Sequence, residues 1–449
     1  MRTFAYQSLF EDGNLALALA PALTPAGVVD NPSFFRGFAS YPQVFARGLL
    51  VLADVTSTRY FNYTPAALRD PVLSAHGDML RAECFSACNG VYARLDLPRS
   101  GFDGQIGLGT TNVDIGPELR TALSRINQKD KLHVDIGGDG FTASRIGSIN
   151  DKIFSLEEKA HERPVQMPDR WVRALGNAAE IHRGMKPVFS LKGAQAQAFV
   201  ASLPPATGKN QAGWLTPSRT GAKLSARRVP DAAYVSGLHR LSALKRIMTN
   251  VTGLTFYMPW DSEPGPFMAE VEIPGSRLSL SLTAEAWHGY SGEGALLESL
   301  ARQEVLEDAE AIGSMLKFDS VINEIQMGER WNIDKSRVQA ALALLAVSGK
   351  LGFDARDRAY FHRELPDDPD RVLKDNPRLS AARKLLDNVK NIGENQWIVR
   401  SNDSDYRVFY NSSQGAQEAK CTCTWYLNHQ NKRGPCKHIL AVQLKEETL

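Results

Sequence analysis

The chain has 449 residues, of which 43% are hydrophobic and 23% charged, and its formal net charge is +2. This length and apolar content predict about two to four domains with substantial cores, and the near-zero charge argues against a protein that coats nucleic acid over its whole surface. The start of the chain lacks the basic and apolar runs of a secretory signal, and no uncharged apolar run is long enough to cross a membrane. We therefore expect a cytoplasmic protein with no membrane contact.

Residues 1–310 predict a large α+β region in which strands and helices do not alternate regularly. The strand-like runs are GLLVLADV, VYARLDL, LHVDIGG, GLTFYMP and SRLSLSLT. The helical runs are PELRTALSRI, PDRWVRALGNAAEIHRGM and GAQAQAFVASL. Because none of these strands is followed by a Gly-x-Gly-x-x-Gly turn, a mixed antiparallel arrangement is favoured over a doubly wound one.

A weak internal duplication is suggested within residues 117–275. Each unit would contain a helix, two strands around a glycine-containing turn, a second helix and a strand. The first unit begins at PELRTALSRI and the second at GAQAQAFVASL. A duplicated scaffold is one interpretation, and chance resemblance is the other.

Charge is unevenly distributed along this region. Between Ile181 and Trp260 there are eleven Lys or Arg residues and a single acid, Asp231. Shortly afterwards, residues 292–312 carry six acids and one arginine. Either the basic segment faces an anionic partner, or the two segments neutralise each other. An acidic helix spanning Glu293–Glu310 across the basic side chains would favour neutralisation, and convergence of those side chains on one exposed face would favour the anionic partner.

Three further groups of residues are candidate sites that favour ordinary structural roles. The first group has two thiols, which form only half of a metal site. The second is a glycine-rich stretch without a Gly-Lys-Ser/Thr sequence, which favours a turn into a helix. The third has aspartates next to glycines, which favour hairpin turns. These groups are Cys84 with Cys88, then Gly289 with Gly292 and Gly294, and then Asp114 with Asp135 and Asp139. We find no catalytic constellation and expect no enzymatic activity.

Residues 311–366 predict a winged-helix domain, with a helix, a turn, a longer helix and a β-hairpin. Asp334 is placed to cap the second helix, Val338, Leu342 and Leu345 form its apolar stripe, and Gly349 ends it. A winged helix can bind DNA or dock proteins, and both interpretations stay open. The residues that would contact nucleic acid are Lys335, Arg337, Arg356 and Arg358, together with Arg219, Lys223, Arg227 and Arg228 of the basic segment.

Residues 367–390 predict a linker with a short helix, and residues 391–449 predict a small zinc-binding module of two strands and a helix. Cys421, Cys423, Cys436 and His438 have the pattern Cys-x-Cys-x12-Cys-x-His. Soft thiolates and an imidazole are the ligands that Zn²⁺ prefers, and four protein ligands leave no position open for catalysis. We therefore predict one structural zinc ion; His429 is a weaker competing ligand because it has no paired neighbour.

This pattern after a β-hairpin resembles the SWIM zinc finger, and all four ligand positions match. The preceding YFHRELP segment and the α+β region also resemble a family of bacterial SWIM proteins that spans nearly the whole chain. The resemblance implies protein-interaction or DNA-binding roles. It also implies genomic neighbours that encode a MoxR-type AAA+ ATPase and a von Willebrand A-type domain protein, which are the partners to expect.

Two functions follow from these features. The first is a non-enzymatic, zinc-binding adaptor that docks protein partners, among them those of an ATPase-linked complex. The alternative is a DNA- or RNA-binding protein that uses the winged helix, the zinc module and the basic segment 181–260. The zinc module is close to neutral, with seven basic and six acidic residues from Asn391 onward, which favours the adaptor because nucleic-acid binding needs clustered phosphate contacts.

Overall fold

The computed structural model describes residues 3–62, 64–65, 69–137, 163–168, 170–290, 303–331, 334–365, 377–412, 418–431 and 434–446. Within these residues the chain is a mixed α+β protein with several antiparallel sheets. In the same residues, every helix is too short or too polar to cross a membrane.

The amino-terminal body contains 22 strands in its described part. They are β1 Thr3–Phe4, β2 Leu9–Glu11, β3 Asn14–Ala18, β4 Ala22–Thr24, β5 Gly27–Val29, β6 Ser33–Ala39, β7 Thr58–Arg59, β8 Thr64–Pro65, β9 Val72–His76, β10 Met79–Phe85, β11 Val91–Pro98, β12 Phe102–Ile106, β13 Leu108–Asn112, β14 His133–Gly137, β15 Arg163–Pro164, β16 Met185–Lys192, β17 Ala212–Ser218, β18 Gly221–Ser225, β19 Ala233–Ser236, β20 Gly253–Pro259, β21 Phe267–Ile273 and β22 Ser276–Leu282. The helices of the body are α1 Pro42–Thr56, α2 Pro117–Leu123, α3 Arg170–Arg183 and α4 Gly193–Ser202, with 3₁₀ segments at Arg99–Gly101 and Leu238–Asn250.

A ten-stranded antiparallel sheet forms the centre of this body. Its order is β16-β20-β21-β22-β11-β10-β9-β13-β4-β5, and β11 and β22 are paired from Val91 opposite Leu282 to Asp96 opposite Arg277. A five-stranded sheet, β12-β6-β14-β3-β2, and a three-stranded sheet, β18-β17-β19, complete the body. Apolar residues of these strands and of α1 pack into one large hydrophobic core. Because the apolar residues alternate along the strands, most of the strand-like runs are recognisable in the sequence.

One predicted strand is wrong: GLLVLADV lies within helix α1. Pro42 occupies the first turn of this helix, where its missing N–H costs no hydrogen bond. Most of the helix is buried against β10, β11 and the 3₁₀ segment. A continuous apolar run fits a buried helix as well as a buried strand, so periodicity could not separate them.

The internal duplication is not confirmed. Strand β14 of the first unit lies in the five-stranded sheet, whereas β17 and β18 of the second unit belong to the three-stranded sheet. The final strands of the two units, β16 and β20, do pair with each other. Residues 138–162, which the first unit includes, lie outside the described residues.

A helix–hairpin unit follows the body and contains helix α5 and then the two helices and the hairpin that the sequence predicts for residues 311–366, although a winged-helix fold is not confirmed. Its elements are α5 Gln303–Gly313, α6 Glu324–Trp331, α7 Lys335–Val347, β23 Leu351–Asp354 and β24 Ala359–His362. Asp334 accepts a hydrogen bond from the Ser336 backbone N–H at 3.1 Å and so caps α7. Gly349 takes a φ of +84°, which suits the residue after a helix end.

Helix α7 is buried more completely than its predicted apolar stripe requires. All six residues from Ala341 to Ala346 are buried, because α3, α5, α6 and β23 surround the helix. The crossing of α3 and α7 depends on Gly176, where a Cβ atom would lie 2.6 Å from the Ala346 carbonyl oxygen. The helix–hairpin unit is thus packed tightly onto the body.

The last part of the chain contains α8 Pro377–Arg383, a 3₁₀ turn Leu386–Asn388, strands β25 Val389–Gly393, β26 Gln396–Ser401, β27 Ser404–Phe409 and β28 Lys420–Cys421, and helices α9 Thr424–His429 and α10 Lys437–Glu446. The predicted hairpin is β26–β27, and β25 and β28 extend it to four antiparallel strands. The hydrophobic core of this module is continuous with that of the helix–hairpin unit.

Candidate metal centre and interaction surfaces

Two short backbone segments bring the four predicted zinc ligands together. Cys421 ends β28, which pairs with β27 through Val408, and Cys423 is the amino-terminal cap of α9. Cys436 lies directly before α10, and His438 lies in its first turn. The sheet therefore presents one pair of ligands and the start of α10 presents the other.

The geometry of the four ligand atoms fits a zinc ion. These atoms all lie within 4.8 Å of one another, and the Cys421 Sγ is 3.7 Å from the His438 Nδ1. A tetrahedral zinc site with bonds of about 2.0–2.3 Å places its ligand atoms roughly 3.5–3.8 Å apart. The described side chains are therefore close to metal-binding positions.

The surroundings of the sulfur atoms favour a thiolate at Cys423, whereas the pKa values of Cys421 and Cys436 are raised. All four ligands are buried, and the Cys423 and Cys436 sulfurs each accept a backbone N–H at 3.5 Å, from Tyr426 and Ile439. The pKa of Cys423 is lowered because its sulfur accepts hydrogen bonds from the thiols of Cys421 and Cys436. Zinc binding displaces such shared protons, so metal affinity and folding are coupled.

Neighbouring side chains hold the ligand loops in place. The Tyr406 ring stacks on the His438 ring with centroids 4.1 Å apart. Arg378 of α8 lies over the Trp425 ring at 4.4 Å and donates to the carbonyl oxygens of Gly434 and Pro435. The helix before the module therefore supports the loop that delivers Cys436. Such outer contacts orient metal ligands.

The ligand set is closed. Four protein atoms complete the tetrahedral coordination that zinc takes in structural sites, whereas catalytic sites keep one position for water or substrate. His429, the weaker candidate, instead packs its ring against Trp425 at 4.4 Å and is outside the ligand cluster found among the described residues.

A groove of about 240 Å³ lies on the outer face of the zinc-module sheet. Ile392 and Phe409 line it and are 50% and 42% exposed. Arg407 and Lys420 give the groove a basic character. Sequence inspection did not identify these residues; the available signal was the alternation of the strands, which places apolar residues on both faces of the sheet.

The four basic residues predicted for the winged helix lie in different surroundings. Lys335 is exposed. Arg337 forms two hydrogen bonds of 2.8 Å with the Asp308 carboxylate of α5. Arg356 contacts Glu272 at 2.9 Å and Glu270 at 3.6 Å. Arg358 donates to the backbone carbonyl oxygens of residues 183 and 185. The predicted wing tip therefore lies against the body.

The basic side chains of residues 181–260 lie at several separate places on the body. Arg183 pairs with Glu180 on α3, Arg228 with Glu263, and Arg246 with Asp54 on α1. Arg219, Lys223 and Arg227 are exposed on the β17–β18 hairpin, and Lys186 donates to the Trp260 carbonyl oxygen at 3.0 Å.

Neither predicted arrangement of the charged segments is observed in the described residues. The described part of the acidic segment, α5, packs against α7 rather than against the basic side chains. Residues 291–302, which contain Glu293, lie outside the described residues.

The remaining candidate residues have structural contacts. Cys84 is buried and Cys88 is half-buried beside Ser86. Asp114 accepts the Ser8 N–H at 2.9 Å, and Asp135 pairs with Arg36 at 2.8 Å. Gly289 is packed against residues 88 and 89. Asp139, Gly292 and Gly294 lie outside the described residues.

Comparison with known proteins identifies the module. A family model of the SWIM zinc finger matches residues 406–445, and no curated protein matches the chain. Two similar solved structures are proliferating cellular nuclear antigen from Entamoeba histolytica, at 12% identity, and the PCNA2–PCNA3 complex from Sulfolobus tokodaii, at 9%. The matches cover 56% and 55% of this chain and 99% and 98% of those chains, each with a TM-score of 0.34, so the similarity is loose.

The match, the ligand spacing and the assembled site agree with one another. Residues 406–445 are therefore a SWIM zinc finger in which Cys421, Cys423, Cys436 and His438 hold one structural zinc ion.

Proposed function

We propose that the protein is a non-enzymatic adaptor whose zinc module presents a docking surface to a protein partner. The observation that supports this most directly is the groove on the outer face of the module. Ile392 and Phe409 are large apolar side chains that remain about half exposed there. Exposed apolar surface grouped in a groove is typical of protein-interaction sites.

The zinc ion has a supporting role in this proposal. Cys421 is both a ligand and part of the groove lining, so the metal fixes the strand that carries Lys420 into the groove. The basic character from Arg407 and Lys420 favours a partner segment that combines apolar and acidic side chains. The SWIM family resemblance suggests an AAA+ ATPase or a von Willebrand A-type protein as the partner.

The helix–hairpin unit is, on this proposal, a winged helix used for internal packing and not for DNA contact. Ile322 forms an isolated antiparallel bridge with Tyr360 of β24, as the extra short strand of a winged helix does. Both hairpin strands are buried, and α7 has neighbours on most sides. This packing supports a role in joining the body to the zinc module.

Partner capture tests the proposal. A tagged full chain and its Ile392→Glu/Phe409→Glu variant would be purified from the source cells under identical conditions, with a Val28→Glu variant as the control. Val28 is 70% exposed on the body. We expect at least one protein to be recovered in near-equal amounts with the wild-type chain and with the control. The same protein should be lost with the groove variant. Equal recovery with all three would overturn the groove as the docking surface.

A second function, nucleic-acid binding, is supported by one observation. Arg219, Lys223 and Arg227 are exposed on one hairpin, and no ion pair is seen for them within the described residues. If duplex DNA binds there, changing Lys223 and Arg227 to Glu should reduce the slope of log affinity against log salt by about 0.9 for each lost phosphate contact. An unchanged slope would exclude the hairpin.

A further inference from the structure

A second cavity lies on the amino-terminal body, far in sequence from the zinc ligands. It has a volume of about 300 Å³ and is lined by Arg47, Leu50, Ser124, Lys245, Arg246 and Thr249. These residues come from α1, the end of α2 and the 3₁₀ segment Leu238–Asn250. Three of the six are cations and none is an acid, so the lining favours an anion.

Two of the cations are fixed in position by neighbouring groups. The Arg47 Nη1 donates to the Thr249 hydroxyl at 2.5 Å and to the Asn250 side-chain oxygen at 2.9 Å. The Arg246 Nε donates to Asp54 Oδ2 at 2.7 Å, and Asp54 also accepts from Arg120. Asp54 raises the pKa of Arg246 through this hydrogen bond and its charge, so the guanidinium stays charged.

The fixed guanidinium groups retain unused donors. A guanidinium carries five N–H groups in a planar fork. Among the residues that the structure describes, side-chain contacts occupy only Nη1 of Arg47 and Nε of Arg246, so the other nitrogen atoms of both groups have no partner there. Lys245 is exposed, and its ammonium group has no partner in the described residues. The Ser124 hydroxyl already donates to the Thr121 carbonyl oxygen at 2.7 Å, and the Thr249 hydroxyl donates to Asn250 Oδ1 at 3.4 Å. The donors that the cavity offers to an anion are therefore those of Arg47, Lys245 and Arg246.

We propose that this cavity binds the phosphate group of a small anionic ligand. Guanidinium forks match the geometry of phosphate oxygens, and a lysine adds a point charge. The volume is at the lower end for ligand pockets, which suits a diphosphate or a phosphate with a small organic group. Fixed arginines in a concave site favour such a ligand over the extended backbone of a nucleic acid, which is contacted along a stripe.

Calorimetric titration of the full chain with inorganic pyrophosphate, at constant ionic strength in chloride buffer, tests this site. The Lys245→Ala variant removes an exposed side chain, and Lys223→Ala on the β17–β18 hairpin is a control with the same change of charge. We expect Lys245→Ala to weaken binding at least about tenfold, because it removes a charge-assisted hydrogen bond. The control should bind as the wild type does.

Three results would overturn the site: no pyrophosphate binding to the wild-type chain, unchanged binding in Lys245→Ala, or equal weakening in both variants. A short duplex DNA added as competitor separates the sources of phosphate. If DNA does not displace pyrophosphate, the cavity binds a small ligand. If DNA displaces pyrophosphate and Lys245→Ala abolishes this displacement, the cavity binds a nucleic-acid backbone and the proposal is overturned. Thermal unfolding of each variant confirms that it is folded.

Discussion

At the scale of single residues, the zinc ligands show what a sequence can predict well. Cys421 and Cys423, like Cys436 and His438, are separated by one residue, so local backbone geometry already brings each pair together. Only the meeting of the two pairs depends on the fold. The cavity around Lys245 shows the opposite case, because Arg47 and Arg246 are about 200 residues apart in the chain and no spacing rule connects them.

Zinc content is the first residue-scale prediction. The wild-type chain should contain one zinc ion after gel filtration, and Cys436→Ser should contain almost none, because three ligands bind a structural zinc far more weakly than four. Elemental analysis is the measurement. Cys88→Ser, which changes a half-buried thiol outside the cluster, is the control and should keep its metal. Zinc retained in Cys436→Ser would contradict the ligand assignment.

Glu270 gives the second residue-scale prediction. Burial raises the pKa of this carboxyl group from 4.5 to about 7, although the charge of Arg277 opposes the change. The folded protein thus favours the protonated form. The contribution of Glu270 to the free energy of unfolding is fully present below its unfolded pKa of 4.5. As the pH rises through 7, up to about 3 kcal/mol of this free energy is lost.

Urea unfolding between pH 4.5 and 8 tests this dependence. Glu270→Gln should be more stable than the wild type at pH 8 and should show a flatter dependence of unfolding free energy on pH. Glu272→Gln is a matched control, because Glu272 contacts the same Arg356 but is 47% exposed. Identical pH profiles for Glu270→Gln and the wild type would show that Glu270 is ionised in the fold at neutral pH.

At the scale of elements, the sequence predicted parts whose signals are local. The Asp334 cap, the Gly349 helix end and the β26–β27 hairpin are examples. The run LHRLSALKRIM, which is the second helix in the second unit of the suggested duplication, forms 3₁₀ turns over Leu238–Asn250. Its buried residues Leu238, Leu241, Leu244 and Ile247 recur every three residues, which is the period of a 3₁₀ helix. The three-residue spacing of these apolar residues was therefore the sequence signal for a 3₁₀ helix.

The attachment of the helix–hairpin unit to the body rests on buried ion pairs that sequence could not reveal. Arg94 donates to the Phe353 carbonyl oxygen at 3.0 Å and to Asp354 at 2.9 Å. The charges of Arg94 and Arg277 lower the pKa of Asp354 despite its burial. Arg363 pairs with Glu83, and both side chains are almost fully buried. The partners in each pair are more than 250 residues apart.

Loss of the Arg363 charge should therefore weaken this attachment strongly. Arg363→Met keeps much of the side-chain volume but leaves the Glu83 carboxylate buried without its cation. We expect a loss of about 3–5 kcal/mol in the free energy of unfolding. Arg228→Met removes an exposed surface pair with Glu263 and should cost less than about 1 kcal/mol. Chemical denaturation distinguishes the two, and equal small losses would contradict a stabilising role for the Arg363–Glu83 pair.

At the scale of the whole molecule, the described residues form two main hydrophobic cores. One belongs to the body, and the other joins the helix–hairpin unit to the zinc module. The sequence indicated an α+β protein with a zinc module but not this sharing of a core, because the shared cluster combines residues as far apart in the chain as Leu342 and Ile439. The zinc module thus shares buried apolar residues with the helix–hairpin unit.

Hydrogen exchange of the captured complex tests the adaptor most directly. The free chain and the chain bound to its purified partner would be compared by mass spectrometry of their peptides. The adaptor predicts that partner binding slows exchange in residues 389–422, which include the strands around Ile392 and Phe409. It predicts no change in residues 217–228 of the basic hairpin. Protection confined to residues 217–228, with unchanged exchange in the zinc module, would contradict the central claim.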